Sequence, residues 1–314
     1  MSTPRRRHTT TGRSGLGFGL ALLTMCAWAT LPAALKASLD YLDAYTLTWF
    51  RFTTATLVMA IWVGRSSPLT RNWKRGIWLL VISAVTLTAD YILYLIGLDL
   101  TTPAIAQVLI QIALLLLALG GIWLFGERFT FTQWGGFLTL LLGLGVFFRQ
   151  QLAAFATDSS RFWLGSFLIV AAGVAWAIYA LVQKQLLLDY ASNRIMLFIY
   201  AFATVVLLPL AAPATLGGLT TRGWIVVGYC ALNTLVAYGA FAEALNHWEA
   251  SRVSALLALT PLGTIGFGIL MERLIPGSVG EERLDWISLA GAGLVVTGSI
   301  VASLGGGWGR ATAP

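Results

Sequence analysis

Residues 26–36 read CAWATLPAALK, and residues 174–184 read VAWAIYALVQK. Each stretch sets a tryptophan between two alanines and a lysine eight residues later. Trp28 is answered by Trp176 and Lys36 by Lys184, both at a distance of 148 positions. The correspondence extends outward. Glu127-Arg128 returns as Glu272-Arg273 after 145 positions, Gly97-Leu98 as Ala244-Leu245 after 147, and Trp134 as Trp286 after 152. The insertion IPGSVGEER at 275–283 absorbs the extra spacing. One unit has been written twice.

The unit is made of membrane-length apolar runs. The 314-residue chain has a mean hydropathy of +0.80 and 11% charged residues, against about 25% in soluble domains. About 20 apolar residues span a bilayer as a helix. Ten such runs are expected, near 16–35, 45–64, 77–98, 104–125, 131–148, 163–183, 195–213, 223–245, 251–271 and 284–304. The fold class is therefore an all-α integral membrane protein with ten transmembrane helices. The expected organisation is a tail at 1–14, a first five-helix repeat at 15–149, a linker at 150–161, a second repeat at 162–305 and a tail at 306–314. Five is odd, so the second copy enters from the opposite face. That predicts two inverted repeats with a substrate site at the midplane between them.

The formal charge of +7 lies in the tails and short loops, where lysine and arginine set orientation rather than bind nucleic acid. With the N-terminus inside, thirteen of these residues fall on inner segments and six on outer ends. Both termini are thus expected in the cytoplasm. The basic opening MSTPRRRHTTTGRSG reads as a polar tail before a retained first helix, without a small-x-small cleavage site. Cys26 and Cys230 both fall in apolar runs and read as packing residues.

The double five-helix pattern, the tryptophan-centred helices 1 and 6, and the GER and MER ends of helices 4 and 9 resemble the drug/metabolite transporter superfamily with paired EamA-type domains. The resemblance covers nearly the whole chain after the tail. It implies a secondary transporter of the bacterial inner membrane, similar to exporters of aromatic and other neutral amino acids. Arg51, in WFRF, matches an arginine common in the second helix of the family. The family often carries a proline midway along helices 4 and 9. Pro261 supplies one, whereas helix 4 reads QIALLLL, so the sequence departs from the family there and does not establish a symmetric pair of kinks.

Polar residues inside a bilayer are costly and mark cavities or partners. Gln107 and Gln111 are four apart and share a helix face. Trp176, Tyr179 and Gln183 form one stripe on helix 6, and Asp90 and Tyr94 lie one turn apart on helix 3. The expected cavity lining is Trp28, Asp90, Tyr94, Gln107, Gln111, Trp176, Tyr179 and Asn233. Aromatic walls with a few polar groups suit an amphipathic ligand such as an amino acid. The same residues would serve ordinary packing and interhelical hydrogen bonding. Lys36, Lys184 and Arg51 are candidates for gating or coupling; snorkelling ends and structural bonding are the competing roles. Glu127 and Glu272 are expected to cap helix junctions.

No HExxH, P-loop, CxxC pair or nucleophile elbow occurs. The expectation is no enzyme, no metal and no cofactor. A small-molecule substrate and the lipid bilayer are the expected partners, and the working unit a monomer. The alternatives are the same fold carrying another metabolite or drug, and an integral membrane enzyme. The enzyme would need clustered catalytic groups at one face.

Overall fold

The computed structural model describes residues 10–63, 73–101, 103–127, 129–147, 149, 160–274 and 285–304. Among these residues there is no strand. The helices are α1 (Ser14–Ser38), α2 (Ala44–Val63), α3 (Trp73–Leu100), α4 (Pro103–Leu109), α5 (Gln111–Phe125), α6 (Phe131–Phe147), α7 (Ser160–Leu186), α8 (Ser192–Leu207), α9 (Thr221–His247), α10 (Ala250–Leu257), α11 (Thr260–Leu274) and α12 (Trp286–Leu304). A 3₁₀ turn, Pro213–Gly218, precedes α9.

Counting α4–α5 and α10–α11 as single broken segments, these helices make ten apolar spans. Seven are long and apolar enough to cross a membrane. The other three, Phe131–Phe147, Ser192–Leu207 and Trp286–Ala302, are shorter. At about 1.5 Å per residue they reach roughly 25 Å, the low end of a crossing. The run expected to reach residue 213 stops at Leu207, because Pro209 offers no N–H to the Val205 carbonyl. Large apolar side chains face outward along the bundle; Phe131, Trp286 and Trp123 are 97%, 86% and 77% exposed. Such a surface requires lipid around it.

Local chemistry starts several helices where the polarity changes. The Asp43 carboxylate accepts from the N–H groups of Tyr45 and Thr46 at 2.9 and 3.0 Å, opening α2. Thr130 and Gln133 form a reciprocal capping box at α6: Gln133 N–H donates to Thr130 Oγ1 at 3.2 Å, and Thr130 N–H to Gln133 Oε1 at 3.0 Å. Thr220 caps α9 through Gly223 N–H at 3.2 Å.

The two halves pack by exchange. α1 lies against α9 and α3 against α7; α2 meets α8, α5 meets α10, and α6 meets α12. The contact of α5 with α7 is mirrored by that of α1 with α11. Between the halves lies a buried aromatic core. Trp28 packs edge-on against Trp176 at 5.6 Å and Tyr238 at 5.1 Å, and Phe241 stands 5.0 Å from Trp176.

Both α4–α5 and α10–α11 are interrupted, although only the second carries a proline at its break. In α10–α11, Pro261 cannot donate to the Leu257 carbonyl. The Thr260 hydroxyl bonds that carbonyl instead, at 2.6 Å. In α4–α5 the step comes at Ile110, where Ala113 N–H donates back to the Ile110 carbonyl at 2.9 Å, a 3₁₀ closure without proline. Cys26 is exposed and Cys230 is buried beside the Ser38 hydroxyl, so they are not bonded to one another.

Candidate functional site

The interrupted helices border a cavity of about 120 Å³. α1 contributes Trp28, Leu31, Pro32 and Leu35. α2 contributes Arg51, and α3 contributes Asp90, Tyr91 and Tyr94. α4–α5 bring Gln107, Ile110, Gln111, Ala113 and Leu114, while Trp176, Tyr238, Leu257 and Thr260 complete the wall. Both helix breaks therefore open onto this space, through Ile110 on one side and Leu257 and Thr260 on the other. A tight step frees the chain to turn its side chains toward a cavity rather than along a regular helix stripe.

The polar groups of the wall are unevenly satisfied. Gln107 donates to Thr264 Oγ1 at 3.3 Å. The Gln111 Oε1 atom is buried without a hydrogen-bond partner, whereas the Tyr91 hydroxyl lies within reach of the side chains of Thr234 and Tyr238. An unsatisfied buried polar atom costs roughly 1–3 kcal/mol, and Gln111 lines the cavity. Arg51 is 1% exposed. Its Nε donates to Thr234 Oγ1 at 2.8 Å, and its guanidinium plane lies over the Tyr91 ring, 4.4 Å from the centroid. Asp90, also buried, faces the charge of Arg51 and the hydroxyl of Tyr238.

Six of the expected lining residues meet here: Trp28, Asp90, Tyr94, Gln107, Gln111 and Trp176. Two are placed elsewhere. Tyr179 is fully buried behind the wall, donating to Met196 Sδ at 3.4 Å and packed against Tyr238 and Phe241. Asn233 ties α9 to α1, donating to the Ala27 carbonyl at 2.7 Å. Tyr91 and Tyr238 were not among the expected lining residues. Tyr91 adjoins Asp90 in the sequence, whereas nothing in the local pattern of α9 singles out Tyr238.

The two repeated lysines occupy opposite ends of α4–α5. Lys36 donates to the carbonyls of Leu98 and Asp99 at 3.1 and 3.0 Å, just before α4. Its carboxylate partner, Asp99 at 3.5 Å, is largely exposed. Lys184 is instead 1% exposed and bonds Glu127 at 2.6 Å, just after α5. Gly126, at φ 70°, turns the chain there and brings Glu127 back over α5. Gly121 leaves the room: a Cβ on it would stand 2.5 Å from Glu127 Oε2. The carboxylate also accepts from Ala250 N–H at 2.8 Å, Ser251 N–H at 3.0 Å and Ser251 Oγ at 2.7 Å. Glu127 thus caps α10 across the bundle, as expected of it. Burial alone would raise its pKa, but Lys184 and the Ser251 donors outweigh that and hold it below the usual glutamate range. Glu272 lies outside the residues whose side chains are described.

Comparison with known proteins agrees with this architecture. The EamA-like transporter family matches residues 15–149 and 163–304, the two halves separately. An uncharacterized transporter of Haemophilus influenzae is 34% identical, over 92% of this chain and 95% of that protein. The uncharacterized inner membrane transporter YhbE of Escherichia coli is 32% identical, over 93% and 92%. A probable amino-acid metabolite efflux pump of Escherichia coli is 24% identical, over 93% and 96%. One crystal structure superimposes with a TM-score of 0.67 over 94% of this chain and 98% of that one, at 20% identity, and so shares the fold. The chain belongs to the EamA-like transporter family.

Proposed function

We propose that this protein is a secondary transporter exporting amino acids, aromatic and other neutral ones, across the inner membrane by alternating access. The observation that carries the reading is the composition of the cavity wall. Trp28, Trp176, Tyr94 and Tyr238 supply apolar faces, while Gln111 Oε1 is buried without a protein partner. An aromatic or aliphatic side chain would bury apolar area against the first group, and a small polar headgroup would satisfy the second. The efflux pump name of the Escherichia coli relative points the same way. In this reading the two halves rock about the cavity, one chain is the working unit, and no covalent chemistry or cofactor is involved.

A second reading, the same fold carrying a nucleotide sugar, fits the wall poorly. Such a ligand needs several cations, and among the described residues Arg51 is the one cation that lines the cavity. Lys36 and Lys184 are engaged at the two ends of α4–α5. The test is counterflow of labelled L-phenylalanine into proteoliposomes of the purified protein, with and without a pH gradient. Uptake that depends on internal unlabelled amino acid is expected. Its absence for every neutral amino acid tried would remove the reading.

A further inference from the structure

Arg51 and the Asp90 carboxyl share a cavity in the membrane interior without closing into an ion pair. Arg51 and Asp90 both line the space between the halves, and both are at least nine-tenths buried. Asp90 feels the charge of Arg51, yet the two make no ion pair within 4 Å, unlike Lys184 and Glu127. Arg51 is fixed from behind: Nε is spent on Thr234 and the guanidinium face on Tyr91. Its two terminal nitrogens form a fork of the kind that binds a carboxylate with two parallel bonds.

An arginine and a carboxyl group held apart in an apolar setting are costly. If they served only packing, closing the pair would relieve most of that cost. If they served one ligand charge, either alone would do. A cavity with both, plus aromatic walls, is complementary to a molecule bearing both an anion and a cation at one end and an apolar group at the other. We infer that Arg51 and Asp90 select a zwitterion and fix its direction, Arg51 taking the carboxylate and Asp90 the ammonium. This deepens the amino-acid reading and rests on it. It also assigns the glutamines a lesser part: Gln111 supplements the polar end without supplying charge. A ligand with only one charge would leave the other protein charge buried and unpaired, so the pair discriminates by exclusion as well as attraction.

The experiment uses three ligands of one shape: L-phenylalanine, phenethylamine, which lacks the carboxylate, and hydrocinnamate, which lacks the ammonium. Each competes for counterflow of labelled L-phenylalanine in proteoliposomes of the wild-type chain. Phenylalanine is expected to compete at least tenfold better than either analogue. Asp90→Asn is then expected to weaken phenylalanine and phenethylamine about tenfold or more and to spare hydrocinnamate. Arg51→Gln should weaken phenylalanine and hydrocinnamate and spare phenethylamine. In the variants, binding is read by ligand-induced shifts of the thermal midpoint, so that a variant slow in transport still reports. Arg51 also holds Thr234 and Tyr91, so an unfolded Arg51 variant leaves the decision to the wild-type and Asp90→Asn arms. Equal competition by all three ligands in wild type would overturn the inference while leaving amino-acid transport standing, as would equal weakening of both analogues by Asp90→Asn. No counterflow of any amino acid would overturn the functional reading itself, and this inference with it.

Discussion

Gln107 and Gln111 sit one helical turn apart and meet different surroundings. Gln107 is engaged with Thr264, whereas the Gln111 Oε1 atom is buried with no partner. The pattern separates a residue that ties helices together from one that awaits a ligand. Gln111→Leu removes the amide at similar volume and relieves an unsatisfied atom. It is expected to keep or raise thermal stability while lowering transport per folded molecule about tenfold, equivalent to about 1.4 kcal/mol. Gln107→Leu is expected to lose stability first. Transport assays normalised to folded protein, beside melting curves in detergent, check both. Full activity of folded Gln111→Leu would assign that residue to the scaffold. The sequence could place both glutamines on one face of a membrane helix, but not which one another helix would satisfy. Tyr179 and Asn233 teach the same limit. Tyr179 shares the face of Trp176 by helical arithmetic, yet Tyr238 and Phe241 cover it. Asn233 is polar within an apolar run because it bonds a carbonyl of α1. Spacing along one helix says which residues share a side, and only the neighbouring helix decides whether that side is wall or core.

At the level of elements, the most committed junction is the one where Glu127 caps α10. Helix α10 is only eight residues long, and its first N–H groups are satisfied by a carboxylate from another segment. Lys184→Met would strand that carboxylate in a buried site and is expected to cost roughly 3–5 kcal/mol, read as a large drop in thermal midpoint. The same junction sets a pH dependence. The Glu127 pKa is lower in the folded protein than its usual 4.5. Its contribution to stability is therefore complete above that value and is lost as pH falls below it toward the folded value. The thermal midpoint of wild type should fall between pH 5 and the acid limit about as the Henderson–Hasselbalch curve of a carboxylate. Glu127→Gln should be less stable at pH 7 and should lose less on acidification. Equal acid loss in both proteins would show that other carboxylates carry it. Helix boundaries were largely legible from hydropathy, since lipid admits few alternatives to a helix. The break at Ile110 was not, because no proline announces it. The contact between α6 and α12 was equally silent. A Cβ on Gly143 would stand 2.6 Å from the Val295 backbone nitrogen. Small residues at such points let helices approach closely in lipid, where apolar burial does not drive them together. Gly143→Leu is expected to reduce folded yield sharply without touching the cavity; any folded fraction should still bind substrate.

At the scale of the whole molecule, the repeated lysines offer a reading of direction. Lys36 near the end of α1 bonds the chain just before α4, and Lys184 near the end of α7 bonds the chain just after α5. The α4–α5 segment is long and apolar enough to cross a membrane; a crossing there would set its two ends, and with them the ends of α1 and α7, at opposite faces. The exchanged packing, α1 with α9 and α3 with α7, is what a two-fold relation between halves requires. The contacts fit a two-fold relation of either kind, and the inversion is a proposal that rests on the odd number of helices per repeat, since parity follows from counting spans independently of packing. The lysine and arginine distribution is the guide to which face is the cytoplasm. Thirteen such residues fall inside if both termini are cytoplasmic, against six outside. Fusions to alkaline phosphatase, which needs disulfides and so an oxidising compartment, and to a cytoplasmic fluorescent reporter decide the matter. After residue 159, between the repeats, the phosphatase is expected to be active and the fluorophore dark; after residue 311 the reverse should hold. Opposite reports at the two points with the signs exchanged would keep the inverted repeat and turn the protein over. The same report at both would mean that an even number of crossings separates them, and neither the five-helix repeat nor its inversion would survive.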